Sequence, residues 1–258
     1  MKDLLIFEVR ENQYAISLEH IQRIIQVPDI TNIPNAHKYI DGMMSYENRV
    51  IKVVNFRKMT GINTYEDDLK KLFNELKNQH TIWVETLKKC VEDSTDFHLT
   101  TDPHICELGK WIDEFTSYDT DVSAILKSLA DVHKGLHVSA ENILAIAKDD
   151  KQEALRVIQS DVLSKYNKTM HYIDQFIKKF GIVADSLQKL LLFNDEESEF
   201  ALKVDAIVDI AHVDEEIIKQ SESNHKVSTY LELEGVIELN GVLVNIIKSI
   251  KLPIKEVA

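Results

Sequence analysis

The spacing of the hydrophobic residues changes near residue 65 and again near residue 185. Between these points apolar residues recur at gaps of three and four, which is typical of amphipathic helices. We predict helices over residues 66–95, 103–117, 119–148 and 151–181. Asp102 and Pro103 are residue types that begin a helix, and Gly181 is a type that ends one. The middle of the chain is therefore predicted to be helical almost throughout.

The two flanks of this helical stretch contain short apolar runs and alternating segments that predict β-strands. Before the helices, strands are expected at residues 4–9, 13–18, 40–46 and 50–56, while residues 18–25 have a short helical or turning period. After them, strands are expected at residues 190–194 and 199–208, around a turn at 195–197, and twice within 230–247, around Asn240-Gly241. Neither flank has enough strands to close a barrel alone. We therefore predict an α+β fold, with one β-domain built from both flanks and the helices inserted into it.

Length and charge limit the classes of function. The 258 residues are enough for one large domain or two of ordinary size. The formal net charge of −13 argues against binding to nucleic acid or to an anionic membrane surface. No apolar run is long enough for membrane insertion, and charges within the first ten residues argue against a signal peptide. Two cysteines indicate no disulfide framework, so we expect a reducing, cytoplasmic compartment.

Three histidines and one cysteine in the helical stretch form a candidate metal site. His80 lies on an apolar seam, and His133 and His137 are four residues apart, which places both imidazoles on one helix face. A lone histidine on an apolar face is usually a core residue, but two buried imidazoles would need two separate sets of partners. With Cys106 added, the set can hold a metal tetrahedrally. This chemistry suits a structural or a sensory Zn²⁺ site.

A zinc hydrolase is the enzymatic alternative. The helix of zinc proteases carries a glutamate directly after its first histidine as the general base, whereas Lys134 follows His133 here. Four protein ligands also leave no position for a catalytic water. No phosphate-binding glycine loop is found either. We therefore expect a protein without catalytic residues, not an enzyme.

Three motifs at these residues resemble the chemoreceptor zinc-binding (CZB) domain, over residues 65–185. They are His80-x-x-Trp83, Cys106-x-Leu108-Gly109-Lys110-Trp111 and His133-x-x-x-His137. The resemblance implies a four-helix bundle that binds Zn²⁺ through His80, Cys106, His133 and His137. For this family it also implies sensing of zinc or of an oxidant such as hypochlorous acid, since a zinc-bound thiolate can be oxidised. The alternative, in which zinc only holds the helices together, stays open.

The flanks resemble CheW, the adaptor that couples chemoreceptors to the histidine kinase CheA. The matching segments are Tyr14-Ala-Ile, Tyr39-Ile-Asp-Gly42, residues 50–57, residues 204–210 and residues 235–244. This resemblance implies a double small β-barrel formed by the N- and C-terminal segments. The expected domains are a CheW-like domain in two parts, 1–64 and 186–258, around a CZB domain at 65–185.

The two resemblances together imply a chemotaxis adaptor, with the chemoreceptor cytoplasmic tip and CheA as partners. A plain scaffold or dimerisation protein is the alternative, and a homodimer stays open. The chain departs from the usual CheW pattern at four positions: Glu47-Asn48 replaces Arg-Gly, Lys52 replaces Pro, and Asn55 replaces Asp. A change from Arg to Glu reverses the sign of any contact made there, so ordinary coupling is the property these departures affect.

Overall fold

The computed structural model describes residues 1–195, 198–220 and 226–252. It divides into two compact units, one formed by Met1–Tyr65 with Ala184–Ala258 and one formed by Glu66–Val183. The first unit is built mainly from strands and the second from helices, which confirms the α+β class. The predicted turn at 195–197 lies partly outside the described residues.

The β unit contains two sheets. Its strands are β1 Lys2–Val9, β2 Asn12–Ser17, β3 Ile21–Gln26, β4 Ile40–Tyr46, β5 Arg49–Asn55, β6 Lys189–Asn194, β7 Glu199–Val204, β8 Ala206–Val213, β9 Lys219–Gln220, β10 Lys226–Ser228, β11 Leu231–Leu239 and β12 Val242–Ile250. One sheet has the order β10-β11-β12-β2-β1-β8, with β9 on β11, and the other has the order β3-β6-β7-β5-β4. Both orders have two free ends, so in the described part of the chain neither sheet closes into the predicted barrel.

Strands from before and after the helical unit lie next to each other in both sheets. The pairs β12–β2 and β5–β7 are parallel, and β3–β6 and β1–β8 are antiparallel. In the β1–β2 hairpin Leu5 is opposite Ile16 and Phe7 is opposite Tyr14. Opposite residues share a sheet face, so these large side chains enter one core together.

Two strand predictions are wrong. Residues 18–25 were expected to turn, but only Leu18–His20 forms a 3₁₀ turn before β3 begins. The segment 199–208 was expected to be one strand, but it breaks at Asp205 and its two halves enter different sheets. The break is stabilised because the Asp205 carboxylate accepts a hydrogen bond from the Arg10 amide. A local pattern cannot reveal such a bend, because both halves remain extended.

In the described residues the helical unit contains three long helical segments, one short helix and the start of a second short helix. The helices of the chain are α1 Phe56–Met59, α2 Tyr65–Asp93, α3 Glu107–Glu114, α4 Thr120–Asp149, α5 Lys151–Val157, α6 Leu163–Ile177 and α7 Phe180–Leu187. A π-helical turn over Ile158–Val162 joins α5 to α6. Among the described residues no helix carries an apolar stretch that would cross a bilayer.

Three predicted helix ends are wrong. Asp102 caps only a turn, through the His104 amide, and α3 begins after Cys106. The predicted helix at 151–181 is interrupted by the π-turn and ends at Ile177. Gly181 lies inside α7 rather than at a helix end. The hydrophobic period cannot distinguish a normal helical turn from one wider turn. The sequence therefore did not reveal the π-turn within the predicted helix at 151–181.

Apolar side chains from three helical segments form the core of the helical unit. Trp83 and Leu87 of α2 pack with Leu136 and Ala140 of α4 and with Ile158 of the π-turn. A second group joins the rings of Phe73, Trp111, Phe176 and Phe180. The four candidate metal ligands lie on helices that these two groups hold together.

Candidate metal centre

The structure brings His80, Cys106, His133 and His137 together, with one ligand atom from each lying within 4.8 Å of all the others. His80 is on α2, His133 and His137 are on α4, and Cys106 is the residue before α3. The three histidines are buried and the cysteine is half-buried. The site therefore draws on three separate helices.

Backbone carbonyls fix the orientation of two of the imidazoles. His80 Nδ1 is 2.8 Å from the Leu76 carbonyl oxygen, and His137 Nδ1 is 3.3 Å from the Thr100 carbonyl oxygen. A carbonyl oxygen only accepts, so each neutral ring donates from Nδ1 and leaves Nε2 without a proton. Both Nε2 atoms then present lone pairs to the centre of the site, which is the arrangement a metal ligand needs.

The lone pairs of His80 and His137 converge without a hydrogen between them. His137 Nε2 and His80 Nε2 are 3.4 Å apart, and neither can donate to the other. His133 Nε2 lies 3.1 Å from His80 Nε2 and 3.2 Å from Cys106 Sγ, and that sulfur is 3.9 Å from His80 Nε2. Tetrahedral Zn²⁺ would separate two nitrogens by roughly 3.3 Å and a nitrogen from a sulfur by about 3.6 Å. The donor set therefore fits a metal ion of this kind.

The protonation states agree with this geometry. Burial lowers the pKa of His80, and it lowers the pKa of His133 to about 2 and that of His137 to about 4. For His133, the charges that His137 and His80 would carry add to the effect of burial. All three rings are neutral at pH 7 and able to coordinate. Burial raises the pKa of the Cys106 thiol, more than the Gly109 and Leu108 amides lower it. A nearby cation would favour the thiolate.

The motif Cys106-x-Leu108-Gly109-Lys110-Trp111 has a local physical basis. Cys106 Sγ caps α3 by accepting a hydrogen bond from the Gly109 amide, at 3.3 Å. A Cβ at Gly109 would lie only 1.6 Å from the Pro103 carbonyl oxygen, so this position admits no side chain. Leu108 is fully buried, and Trp111 packs on Phe73. These contacts hold the Cys106 sulfur at the N-terminal end of α3 and direct it towards the histidines.

Sequence reasoning found the four side chains but missed the backbone groups behind them. The carbonyl oxygens of Leu76 and Thr100 orient His80 and His137. The Leu76 contact follows the ordinary i, i+4 spacing of a helix, so it was available from the sequence. Thr100 lies in a segment without helix or strand, and no sequence signal marks its position.

The surroundings of His133 give a hydrolase no support. Lys134 follows it on α4 and is exposed, so no carboxylate occupies the position of the general base. The donor set already supplies four protein atoms. A catalytic zinc keeps one position for water, which such a set would fill.

Comparison with protein families gives two matches. A model described as the CheW-like domain matches residues 3–86, and one described as the chemoreceptor zinc-binding domain matches residues 80–144. The chain contains a CheW-like region followed by a chemoreceptor zinc-binding region. The CheW resemblance of the N-terminal flank and the zinc-binding resemblance are confirmed over the matched residues, and the zinc-binding family agrees with the donor set of the site.

One curated relative agrees with the first match. The chemotaxis protein CheW of Thermotoga maritima is 31% identical over 70 residues, which are 27% of this chain and 46% of that protein. The match thus spans less than half the length of this relative. The crystal structure of the scaffolding protein TtCheW from Thermoanaerobacter tengcongensis covers 96% of this chain and 88% of its own, with 12% identity and a TM-score of 0.45.

The departures from the CheW pattern have structural consequences. Asn48 has a φ of 63°, a left-handed value that asparagine tolerates better than most residues in place of glycine. Glu47 is exposed and pairs with Arg23 at 3.5 Å. Asn55 donates to Asp41 at 2.9 Å, which an unprotonated aspartate could not do. The fold thus accommodates the changes at residues 47, 48 and 55, and Lys52 is exposed.

Proposed function

We propose that this protein is a non-enzymatic, cytoplasmic chemotaxis adaptor. In this proposal a CheW-like domain, formed by residues 1–64 and 186–258, carries an inserted zinc-binding four-helix domain at 65–185. The two family matches support the two kinds of domain. The division of the chain into a β unit made from both flanks and a helical unit supports the insertion.

The zinc ligands in this proposal are His80, Cys106, His133 and His137. The observation that carries it is the approach of His80 Nε2 and His137 Nε2 to 3.4 Å, with both ring protons held on Nδ1 by carbonyl oxygens. Two lone pairs this close repel each other unless a cation lies between them. One cysteine sulfur and three histidine nitrogens would complete the coordination of Zn²⁺, which supplies a strong cross-link between helices.

Zinc content tests the ligand set. We expect one zinc per chain in the wild-type protein and a large loss in His133→Ala, because a three-ligand site binds the metal far less tightly. His104→Ala is the matched control, since His104 is close to Cys106 in sequence, exposed, and bonded to Asp113 rather than to the site. The measurement is elemental analysis after dialysis against a weak chelator. Full zinc occupancy in His133→Ala would sink the assignment.

The proposed partners are the chemoreceptor cytoplasmic tip and the kinase CheA. The CheW-like match and the relative named for chemotaxis support this proposal. Glu47 is exposed at a turn where the CheW pattern usually has an arginine. A partner that contacts this turn would need a positive group opposite it, so ordinary CheW partners are expected to bind less tightly there.

Cys106 is the proposed oxidant-sensitive ligand. An oxidant that converts the Cys106 thiolate to sulfenic acid takes two electrons from sulfur and removes a strong ligand from the set. Three neutral imidazoles then hold the helices less firmly. The alternative is that zinc only stabilises the helical domain, and the two functions differ in whether partner binding depends on the state of Cys106.

A buried network within the β unit holds the two chain segments that lead into the helical unit. Asp205 accepts hydrogen bonds from Arg57 at 2.7 and 2.8 Å and from Gln188 at 2.9 Å. Arg57 also donates to the Asn63 carbonyl oxygen, at 2.9 Å. Asn63 lies just before α2 and Gln188 just after α7. Within the β unit, the segments before α2 and after α7 are therefore both held by one ion pair.

Affinity for a partner tests the sensory function. We expect mild oxidant or chelator to change the free energy of binding to a receptor tip or to CheA by about 1–3 kcal/mol, the usual size of such coupling. Cys106→Ser should abolish the oxidant effect. Cys90→Ser is the matched control, because Cys90 Sγ contacts the Asp96 carbonyl oxygen and lies outside the ligand set. Equal affinities for reduced, oxidised and zinc-free protein in calorimetry would leave only the stabilising role of zinc.

A further inference from the structure

We infer that Trp83 is a positioning residue of the metal site, an inference that rests on the proposed zinc binding. The indole Nε1–H of Trp83 donates to the Thr100 carbonyl oxygen, at 2.8 Å. The same oxygen is 3.3 Å from His137 Nδ1. The indole ring also lies against the imidazole of His137, with ring centres 4.8 Å apart. Trp83 thus contacts one ligand directly and a second time through a shared acceptor.

The shared oxygen needs a support of this kind. Thr100 lies between α2 and α3, where the backbone forms neither helix nor strand. A peptide group in such a segment is free to rotate unless another group holds it. Trp83 is on the long helix α2, is only 5% exposed and packs in the helical core. Its N–H therefore holds the Thr100 oxygen in place from a rigid element.

The position of this oxygen decides which nitrogen of His137 faces the metal. With the oxygen beside Nδ1, the neutral ring carries its proton there and turns the lone pair of Nε2 towards His80. A ring flipped about its Cβ–Cγ bond would direct a carbon at the oxygen and lose the hydrogen bond. The indole ring packed against the imidazole opposes that flip. Trp83 therefore selects both the tautomer and the orientation that bind a metal.

Tryptophan supplies both contacts here, and phenylalanine would supply only one of them. A phenylalanine would keep part of the ring contact with His137 but has no hydrogen to donate. Tyr166 offers a control in the same core. It packs in the cluster that contains Trp83, and its hydroxyl lies 2.8 Å from Thr81 Oγ1, outside the ligand set. Tyr166→Phe thus also removes one half-buried hydrogen-bonding group, but none that contacts a ligand.

Zinc affinity measured by chelator competition in Trp83→Phe and Tyr166→Phe tests the inference. We expect about ten-fold weaker binding in Trp83→Phe, the usual effect of losing a group that orients a ligand. Tyr166→Phe should bind zinc as the wild type does, although it also removes a hydrogen-bonding group from the same core. Equal affinities in the two variants would overturn the positioning role and leave the zinc proposal intact. A wild-type protein without zinc would overturn both.

A measurement on the zinc-free wild type removes the dependence on the folding of a variant. Nitrogen NMR of the histidine rings should find the His137 proton on Nδ1 before any metal is added. Hydrogen exchange of the Trp83 indole N–H should be slow, because a buried hydrogen bond protects it. A proton on Nε2 of His137, or rapid exchange of the indole, would overturn the inference. A Trp83→Phe variant that folds should lose the fixed tautomer.

Discussion

Gly109 decides how closely α3 approaches the segment before it. An added Cβ would lie 1.6 Å from the Pro103 carbonyl oxygen and 2.8 Å from its carbonyl carbon. Both are backbone atoms, which cannot move away without shifting the chain. The Gly109 amide is also the donor that holds Cys106 Sγ in the cap. A single residue therefore controls the position of the sulfur in the site.

Alanine at Gly109 and at Gly135 should have opposite effects. Gly109→Ala should move α3 and weaken zinc binding, because Cys106 begins that helix. Gly135→Ala is expected to raise the free energy of unfolding of the helical unit by up to about 1 kcal/mol, since alanine favours a helix interior. The nearest atom to a Cβ at Gly135 belongs to the flexible Lys165 side chain and is 3.9 Å away.

Urea unfolding followed by tryptophan fluorescence, together with zinc titration, distinguishes the two glycines. Trp83 and Trp111 both lie in the helical unit, so the signal reports on that unit. Unchanged zinc affinity in Gly109→Ala would contradict the close approach to Pro103.

At the scale of single residues, the sequence predicts the metal ligands better than it predicts the groups that orient them. His133 and His137 are four apart in one helix, and helical geometry alone places them on one face. The Thr100 carbonyl reaches His137 across 37 residues, along a path set by an irregular segment. The cap of α3 was wrongly placed at Asp102, because Asp-Pro is a stronger local signal than a cysteine.

Among the elements, β5, α1 and β7 meet at a buried ion pair. Arg57 lies in α1 and Asp205 follows β7, and their side chains are 4% and 9% exposed. Lys203 on β7 forms ion pairs with Asp41 and Asp185, and Lys58 on α1 pairs with Asp41. Charges in this position are stable only while each has its partner.

Removal of one partner should therefore cost far more than removal of a surface pair. We expect Asp205→Ala to lower the free energy of unfolding of the β unit by about 3–5 kcal/mol, because it leaves the Arg57 charge buried and unpaired. Arg23→Ala breaks the exposed pair with Glu47 and should cost at most about 1 kcal/mol.

Native-state hydrogen exchange of the β1 amides measures the opening free energy for both variants. If Asp205→Ala lowered the opening free energy by less than Arg23→Ala does, the prediction would be wrong. Water would then reach the Arg57 side chain.

Alternation predicted those strands that have one buried face or a fully apolar run. β1, β2, β4 and β5 lie within two residues of their expected limits, and Asn240 and Gly241 adopt positive φ values at the expected turn. β3 was missed because its residues, Ile-Gln-Arg-Ile-Ile-Gln, do not alternate. It lies at the edge of its sheet and is mostly exposed, so burial does not impose a pattern on it.

At the scale of the whole molecule, the helical unit should be removable. A chain lacking residues 66–183, with Tyr65 joined to Ala184 by a short Gly/Ser linker, should retain a cooperative unfolding transition and bind no zinc. The reason is that both ends of the deletion belong to one compact unit, and closing a loop costs little free energy.

Thermal unfolding followed by circular dichroism provides the measurement. Deletion of residues 40–55 from the shortened chain is the control, since it removes β4 and β5 from their sheet and should abolish the transition. A shortened chain that melts without cooperativity would count against the insertion.

The change in hydrophobic period near residues 65 and 185 predicted the two-part organisation of the β-domain as a hypothesis. It could not predict that neither sheet closes into a barrel in the described residues. Closure depends on which edge strands meet, and here β8, β3 and β4 remain at the ends of their sheets in the described residues. Edge pairing is decided by long-range packing, which a local pattern does not contain.

The sharing of both sheets between the two flanks has a consequence for synthesis. The ribosome releases β1 to β5 long before β6 begins at Lys189, an interval of roughly ten seconds at ordinary rates of translation. Until then β1, with its apolar run Leu4-Leu5-Ile6-Phe7, has only β2 beside it. An isolated hairpin is marginally stable in water. The helical unit is completed before β6 is synthesised. The nascent chain therefore contains a folded helical unit while its N-terminal strands are still exposed. Exposed strands of this kind are what chaperones bind.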